Sequence, residues 1–197
     1  LNLSDMNIET EFAIIGGGVA GLTAAIGLLQ SSRKFLVFEQ AKELKGIGAG
    51  FGLAANAIQA LNHLGLKDDV EKLGFYTHSY NILDQNGHIL LAPDTKKLSE
   101  QYNQDNFTIH RADLHLYLLN RLPAEKVQLG KRAIRFEENT SFITVFFDDD
   151  TQVKCKYLLI ADGVKSPLRQ QLLPHTTPRY SGYTCWRAVI DNSSIQL

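Results

Sequence analysis

The chain has 197 residues, 44% of them apolar and 21% charged, with a net charge of −1, which is the composition of an ordinary globular protein. The length suits about one to one and a half domains with a sizeable core. No basic cluster offers a nucleic-acid footprint, no apolar run reaches the roughly 18 residues of a membrane helix, and two cysteines do not make a disulfide framework.

The polar, acidic start Leu1–Thr10 does not read as a signal peptide, and Met6 suits a natural start, so Leu1–Asn7 is set aside from fold reasoning. Cys155 and Cys185 then suit a reduced, cytoplasmic setting. The first element is a strand-like run, Glu11–Ile15, that meets Gly16, Gly18 and Gly21 at the spacing G-x-G-x-x-G. In that spacing the first glycine permits a tight turn, the second lets the backbone approach a pyrophosphate, and the third lets a helix pack close to its strand. A helical run Val19–Gln30 follows, whose free N–H groups and partial positive charge favour phosphate. A second apolar run, Phe35–Phe38, ends at Glu39, and an acidic residue about 20 positions on suits the ribose hydroxyls of a dinucleotide.

Gly46, Gly48, Gly50 and Gly52 make the next segment either flexible or closely apposed to something flat. A helix carrying Ala54, Ala57, Ile58, Leu61 and Leu64 is expected to cap at Gly65, and a short helix over Lys67–Leu73 to end at Gly74. Asn56 and His63 fit surface or packing roles. Ser79–Leu83 and Ile89–Leu91 read as a hairpin around Asn86-Gly87, and Asp94–Asn106 as a mobile polar loop. Phe107–His110 reads as a strand, and Arg111 opens a helix with Leu114, Leu118, Leu119 and Leu122 at i, i+4 spacing, ended by Pro123. Arg111 is either a bidentate phosphate contact or a surface arginine.

Strands are expected over Val127–Leu129, Arg132–Phe136, Ser141–Phe147 and Gln152–Ile160. Asp148-Asp149-Asp150 fits a solvated hairpin turn rather than a metal loop. Tyr157–Ala161 is a continuous apolar run, expected as a buried parallel strand returning to the central sheet. It ends at Asp162-Gly163, where ligands of open α/β sheets bind, and a helix with Pro167 in its first turn follows. Tyr180–Ile190 reads as a new aromatic strand in need of partners.

Four segments resemble the N-terminal half of the FAD-dependent aromatic hydroxylases, the single-component flavoprotein monooxygenases of the para-hydroxybenzoate hydroxylase fold. They are Gly16–Gly21 with Glu39, Gly46–Leu53 with Asn56, His110–Leu114, and Ala161–Arg169; Tyr180–Arg187 resembles the start of that family's substrate domain. The resemblance implies a Rossmann-like α/β FAD-binding domain over residues 8–174, with a central parallel sheet and an accessory antiparallel sheet. Residues 175–197 would begin a substrate domain that continues elsewhere. It implies that Gly16, Gly18, Val19, Ala20 and Gly21 lie along the FAD pyrophosphate and that Glu39 and Gln40 meet the adenosine side. Gly48, Ala49 and Gly50 would lie near the ribityl chain and flavin, Arg111 near the pyrophosphate, and Ala133 at the adenine edge. Asp162 and Gly163 would serve FAD and NAD(P)H.

Three departures from the family pattern stand out. Gln40 replaces a basic residue, Ala55 replaces a proline, and the later Gly-Asp segment has no counterpart. The implied activity is NADH- or NADPH-dependent hydroxylation of a small, aromatic substrate with O2, with a homodimer left open and no stable membrane association. Alternatives are an inactive FAD-binding fragment, an epoxidase or reductase on the same fold, and an NAD-dependent dehydrogenase, which would leave Gly46–Gly52 and Asp162-Gly163 unexplained. The halogenase Trp-x-Trp-x-Ile signature is missing, since Trp186 is the only tryptophan. No catalytic acid or base is assigned; His110 and Tyr183 fit packing as well as chemistry.

Overall fold

The computed structural model describes residues 8–44, 50–77, 80–102, 106–174 and 178–187. The chain divides into two compact units, Leu1–Lys45 with His115–Cys185, and Gly46–Leu114 with Trp186–Leu197.

The first unit is built on β1 (Ile8–Ile15), α1 (Val19–Gln30) and β2 (Phe35–Glu39); the helix has the predicted bounds, while β1 starts three residues before the predicted Glu11. Its six-stranded sheet also takes in four later strands. Numbered in chain order after the second unit's β3 to β7, these are β8 (Val127–Leu129), β9 (Ala133–Glu138), β10 (Ile143–Phe147) and β11 (Gln152–Ile160). The strand order is β8-β2-β1-β11-β10-β9. β1 pairs in parallel with β2 and β11, and β2 with β8, whereas β10 and β9 extend the sheet antiparallel. β8 therefore leaves the run of strands it heads in sequence and joins the opposite edge.

Parallel neighbours on both sides bury both faces of β1, hence its apolar carboxyl half. One face carries Ala13, Ile15, Phe38, Val145, Phe147 and Val153, sealed by Leu168 of a C-terminal helix, with the Phe38 and Phe147 rings 4.9 Å apart. Burial of each large side chain contributes about 1.5–3 kcal/mol. The expected full burial of Tyr157–Ile160 is not reached. β10 pairs with β11 only as far as Cys155, so the carboxyl half of β11 is flanked by β1 alone and stays partly exposed. The triple aspartate is the β10–β11 turn: Phe147 N–H donates to the Thr151 carbonyl, and Asp150 takes the left-handed conformation. That helix runs Pro167–Leu172; Ser166 accepts from Arg169 N–H at 2.8 Å, and Pro167 sits in its first turn.

The second unit contains β3 (Gly50–Leu53), α2 (Ala55–His63), α3 (Lys67–Glu71), β4 (Gly74–Thr77), β5 (Ile82–Leu83), β6 (Ile89–Leu91), α4 (Thr95–Tyr102) and β7 (Asn106–His110). A helix α5 (Arg111–Leu119) begins in this unit and continues into the first, and Pro167–Leu172 is α6. β3, β7 and β4 form an antiparallel sheet, with β7 in the middle. Gly65 caps α2 as expected: at φ +67°, its N–H bonds the Asn62 carbonyl and that of Leu66 bonds the Leu61 carbonyl. Ile58, Leu61, Leu66, Val70 and Phe107 are buried. β5 and β6 pair with each other around the Asn86-Gly87 turn, with Gly87 at φ +86° and Asp84 Oδ1 accepting from the N–H groups of Asn86 and His88.

Four expectations are corrected. Asp94–Asn106 holds a helix, α4, because Asp94 Oδ1 accepts from Lys97 N–H at 3.1 Å and stops the first turn from fraying. Gly74 opens a strand rather than closing a helix; a Cβ there would lie 2.3 Å from the Thr108 carbonyl oxygen, so only glycine brings β4 onto β7. The glycines of Gly50–Leu53 form a strand, while residues 46–49 lie outside the described residues. Tyr180–Arg187 has no strand pairing among the described residues: a strand needs a neighbour for its N–H and C=O groups, and Tyr180, Tyr183 and Trp186 are exposed.

Candidate functional site

The carboxyl ends of β2, β1 and β11 stand side by side, and the glycine loop fills the space between them. Gly16 N–H donates to the Phe38 carbonyl at 2.8 Å and Ala161 N–H to the Ile15 carbonyl at 2.8 Å. Gly16 is at φ +111°, and a Cβ there would lie 2.3 Å from the Ala161 carbonyl oxygen. A Cβ at Gly21 would lie 1.9 Å from the Gly16 carbonyl oxygen. Both positions thus require glycine, for the turn and for the approach of α1. Gly18 differs: no described residue lies within 4 Å of its absent Cβ. It caps α1 without a side-chain bond, and no acidic residue occupies the first turn, so among the described residues the helix N-terminus faces an open cradle. Val19 and Ala20 are the first helical residues.

Glu39 faces this loop. Its Oε2 accepts from Gly17 N–H at 2.7 Å and its Oε1 from Ala41 N–H at 2.8 Å. Such charge-assisted bonds are about twice as strong as neutral ones and leave further acceptor directions on both oxygens. Gln40 beside it is exposed. The Gly130–Lys131 connection docks on the same place, with Gly130 N–H donating to the Ala41 carbonyl and Lys131 N–H to the Glu39 carbonyl at 2.8 Å. Ala133 is buried in the core beyond that connection. Asp162 follows β11, and its Oδ1 is buried without a hydrogen-bond partner among the described residues. Gly163 is exposed at φ +88°.

One unit therefore collects Gly16, Gly18, Val19, Ala20, Gly21, Glu39, Gln40, Ala133, Asp162 and Gly163. Gly50 and Arg111 belong to the other unit, where β3–β7 pairing sets Gly50 opposite His110, next to Arg111. Gly48 and Ala49 lie outside the described residues. Two contacts escaped sequence reasoning. Lys131 reaches Glu39 through its backbone, which no side-chain pattern shows. His115 Nε2 donates to the Gly17 carbonyl at 2.6 Å, and its signal was the i, i+4 spacing from Arg111, which puts both on one helical face.

The arrangement suits a dinucleotide. The helix N-terminus could receive phosphates, the fixed Glu39 carboxylate could receive ribose hydroxyls, and the unpartnered Asp162 oxygen could accept from a hydroxyl. Burial pushes the Cys155 thiol up to about 11, offset in part by a backbone hydrogen bond from Ala13. Among the described residues no cluster of acidic, histidine or cysteine side chains could hold a metal ion. In the second unit an apolar cavity of about 420 Å3 is lined by Leu53, Ala54, Tyr80, Pro93 and Phe107.

Residues 9–188 match the family model described as FAD binding domain. The 3-amino-4-hydroxybenzoate 2-monooxygenase of Streptomyces cremeus is 33% identical over 189 residues, which is 95% of this chain and 48% of that protein. The FAD-dependent urate hydroxylase of Klebsiella oxytoca is 32% identical over 180 residues, 90% of this chain and 47% of that protein. The crystal structure of Klebsiella pneumoniae HpxO complexed with FAD and uric acid superimposes with a TM-score of 0.72 at 32% identity, covering 82% of this chain and 41% of that one. The chain spans about half the length of the curated relatives it matches. With a glycine cradle at the ends of β1, β2 and β11 and a family match over nearly its whole length, this chain belongs to the FAD binding domain family.

Proposed function

We propose that this chain is the FAD-binding part of a flavoprotein monooxygenase that hydroxylates a small aromatic molecule at the expense of NADH or NADPH and O2. The observation that carries the reading is the convergence of Gly16, Gly21, Glu39 and Asp162 at the carboxyl ends of three adjacent strands. When bound, FAD supplies hydride acceptance from NAD(P)H and activation of O2, one oxygen atom going to the substrate ring and the other leaving as water. The chain's own residues bind and orient. Gly18 with the first turn of α1 receives the pyrophosphate, Glu39 the adenosine ribose, with Gln40 beside it and Ala133 on the adenine side. Asp162 and Gly163 serve FAD and NAD(P)H, and Gly48, Ala49, Gly50 and Arg111 are further FAD contacts of this reading. Residues 8–174 act as the FAD-binding domain, and 175–197 open the substrate domain.

Support for hydroxylation comes from the relatives, since a 3-amino-4-hydroxybenzoate monooxygenase and a urate hydroxylase each match across nine-tenths or more of this chain. A cytoplasmic setting belongs to the reading and agrees with the two free thiols. Among the described residues no helix is long and apolar enough to cross a membrane. Association of two copies is also part of the reading, and light scattering tests it. A second reading is an FAD-binding module without activity of its own.

Purification and cofactor extraction decide between these and a dehydrogenase. A yellow, fluorescent extract identified as FAD is expected, and a colourless protein that binds NAD instead overturns the reading. Stimulation of NAD(P)H oxidation by aromatic compounds then separates the monooxygenase from the inactive module.

A further inference from the structure

Gly17 is held on both sides. Its N–H donates to Glu39 Oε2 at 2.7 Å, and its carbonyl accepts from His115 Nε2 at 2.6 Å. The carbonyl belongs to the peptide link between Gly17 and Gly18, and in a trans peptide the C=O and the following N–H point in opposite directions. The carbonyl faces His115 on α5, so the Gly18 N–H faces away from α5. That N–H is one of the unpaired donors at the start of α1: no acceptor among the described residues meets it, and no described residue lies within 4 Å of where a Gly18 Cβ would sit. Glycines on both sides of this link leave no Cβ to restrict its rotation. The Gly17 N–H and the Gly18 carbonyl, on either side of the link, are bonded to Glu39 and Leu22, and the link's own carbonyl is bonded to His115.

We propose that His115 is a positioning residue for the cofactor phosphates: by holding the Gly17 carbonyl it aims the Gly18 N–H into the open cradle at the N-terminus of α1. This rests on the FAD reading given above. His115 touches neither phosphate nor flavin and acts through the peptide link. Nε2 carries the proton, since its partner is a carbonyl oxygen.

The test compares His115→Leu, which removes the donor, with His115→Gln, which places an amide N–H near the Nε2 position. FAD dissociation constants come from flavin fluorescence. In parallel, the Gly18 amide resonance is followed by NMR as ADP, which carries the same pyrophosphate, is added. His115→Leu is expected to weaken FAD binding about tenfold, while His115→Gln stays within about twofold of wild type. The Gly18 resonance is expected to move on ADP addition in wild type and in His115→Gln, and to move much less in His115→Leu. Equal FAD affinity in wild type and His115→Leu overturns the proposal, as does a His115→Gln protein as weak as His115→Leu. If His115→Leu does not fold, the wild-type spectrum decides: a Gly18 amide that stays in place at saturating ADP overturns it. A wild-type chain that binds neither FAD nor ADP is a separate outcome, which removes the FAD reading and the proposal with it.

Discussion

The glycines of the two units stand in opposite surroundings. In the first unit Gly16 and Gly21 are wedged against backbone oxygens, 2.3 and 1.9 Å from where a Cβ would sit. In the second, Gly50 and Gly52 lie on a strand with no described residue within 4 Å of where a Cβ would sit. The first pair is demanded by the fold itself, because without it neither the turn nor the approach of α1 to β1 exists. The second pair is not demanded by any described contact. Gly18 shares this openness although it sits between the wedged pair, as the proposed phosphate contact requires.

Substitutions break or sharpen this contrast. Gly21→Ala is expected to have the largest effect, a loss of about 3 kcal/mol or more in denaturant melts, because the clash is with backbone rather than a movable side chain. Gly18→Ala is expected to cost less than about 1 kcal/mol in melts, alanine being a poorer N-cap than glycine but restricting the unfolded chain more, yet to bind FAD on the order of tenfold more weakly by fluorescence titration; a loss of folding as large as that of Gly21→Ala would show that its openness is misread. A smaller effect is expected at the β10–β11 turn of the first unit. Burial alone would raise the Asp149 carboxyl, but hydrogen bonds from Lys131 and Thr151 and the Lys131 charge together hold it at about 2. A carboxylate depressed in the folded state stabilises above its unfolded value near 4 and loses that contribution as pH falls toward 2. Asp149→Asn should therefore cost less than about 1 kcal/mol at pH 7, given its exposure, and nothing near pH 2. The smallest effects belong to the second unit. Gly50→Ala and Gly52→Ala should leave stability unchanged or raise it by up to about 1 kcal/mol. Leu90→Lys, on the exposed β5–β6 hairpin, should shift melts by less than about 0.5 kcal/mol while raising solubility. A destabilisation at Gly50 or Gly52 comparable to that of Gly21→Ala would erase the contrast.

The first unit was legible in the sequence because its signals are local and redundant. An apolar run, spaced glycines, a small-residue helix and a second apolar run fix β1, α1 and β2 without reference to anything distant. The second unit was less so. β3 and β4 each open on a glycine and last four residues, and their identity comes from β7, which supplies the partners Phe107, Thr108 and Ile109 from far along the chain. Similarly, α4 is polar enough to pass for a loop until Asp94 is seen to cap it. The same limit applied at the site. Glu39 could be found by counting from Gly16, whereas Lys131 and His115 reach it only through the folded backbone. Tyr180–Arg187 marks the opposite failure: an aromatic, strand-like pattern has no effect on the backbone when no described neighbour offers it a ladder.

The double engagement of Glu39 with Gly17 and Ala41 has a consequence for how such a domain can change its ligand. The carboxylate that would gauge the ribose is also a strut of the loop beside the phosphate cradle. Altering it to admit a differently decorated ribose also releases the Gly17 and Ala41 amides. If Glu39 meets the ribose as proposed, a substitution there changes ligand preference and loop architecture together.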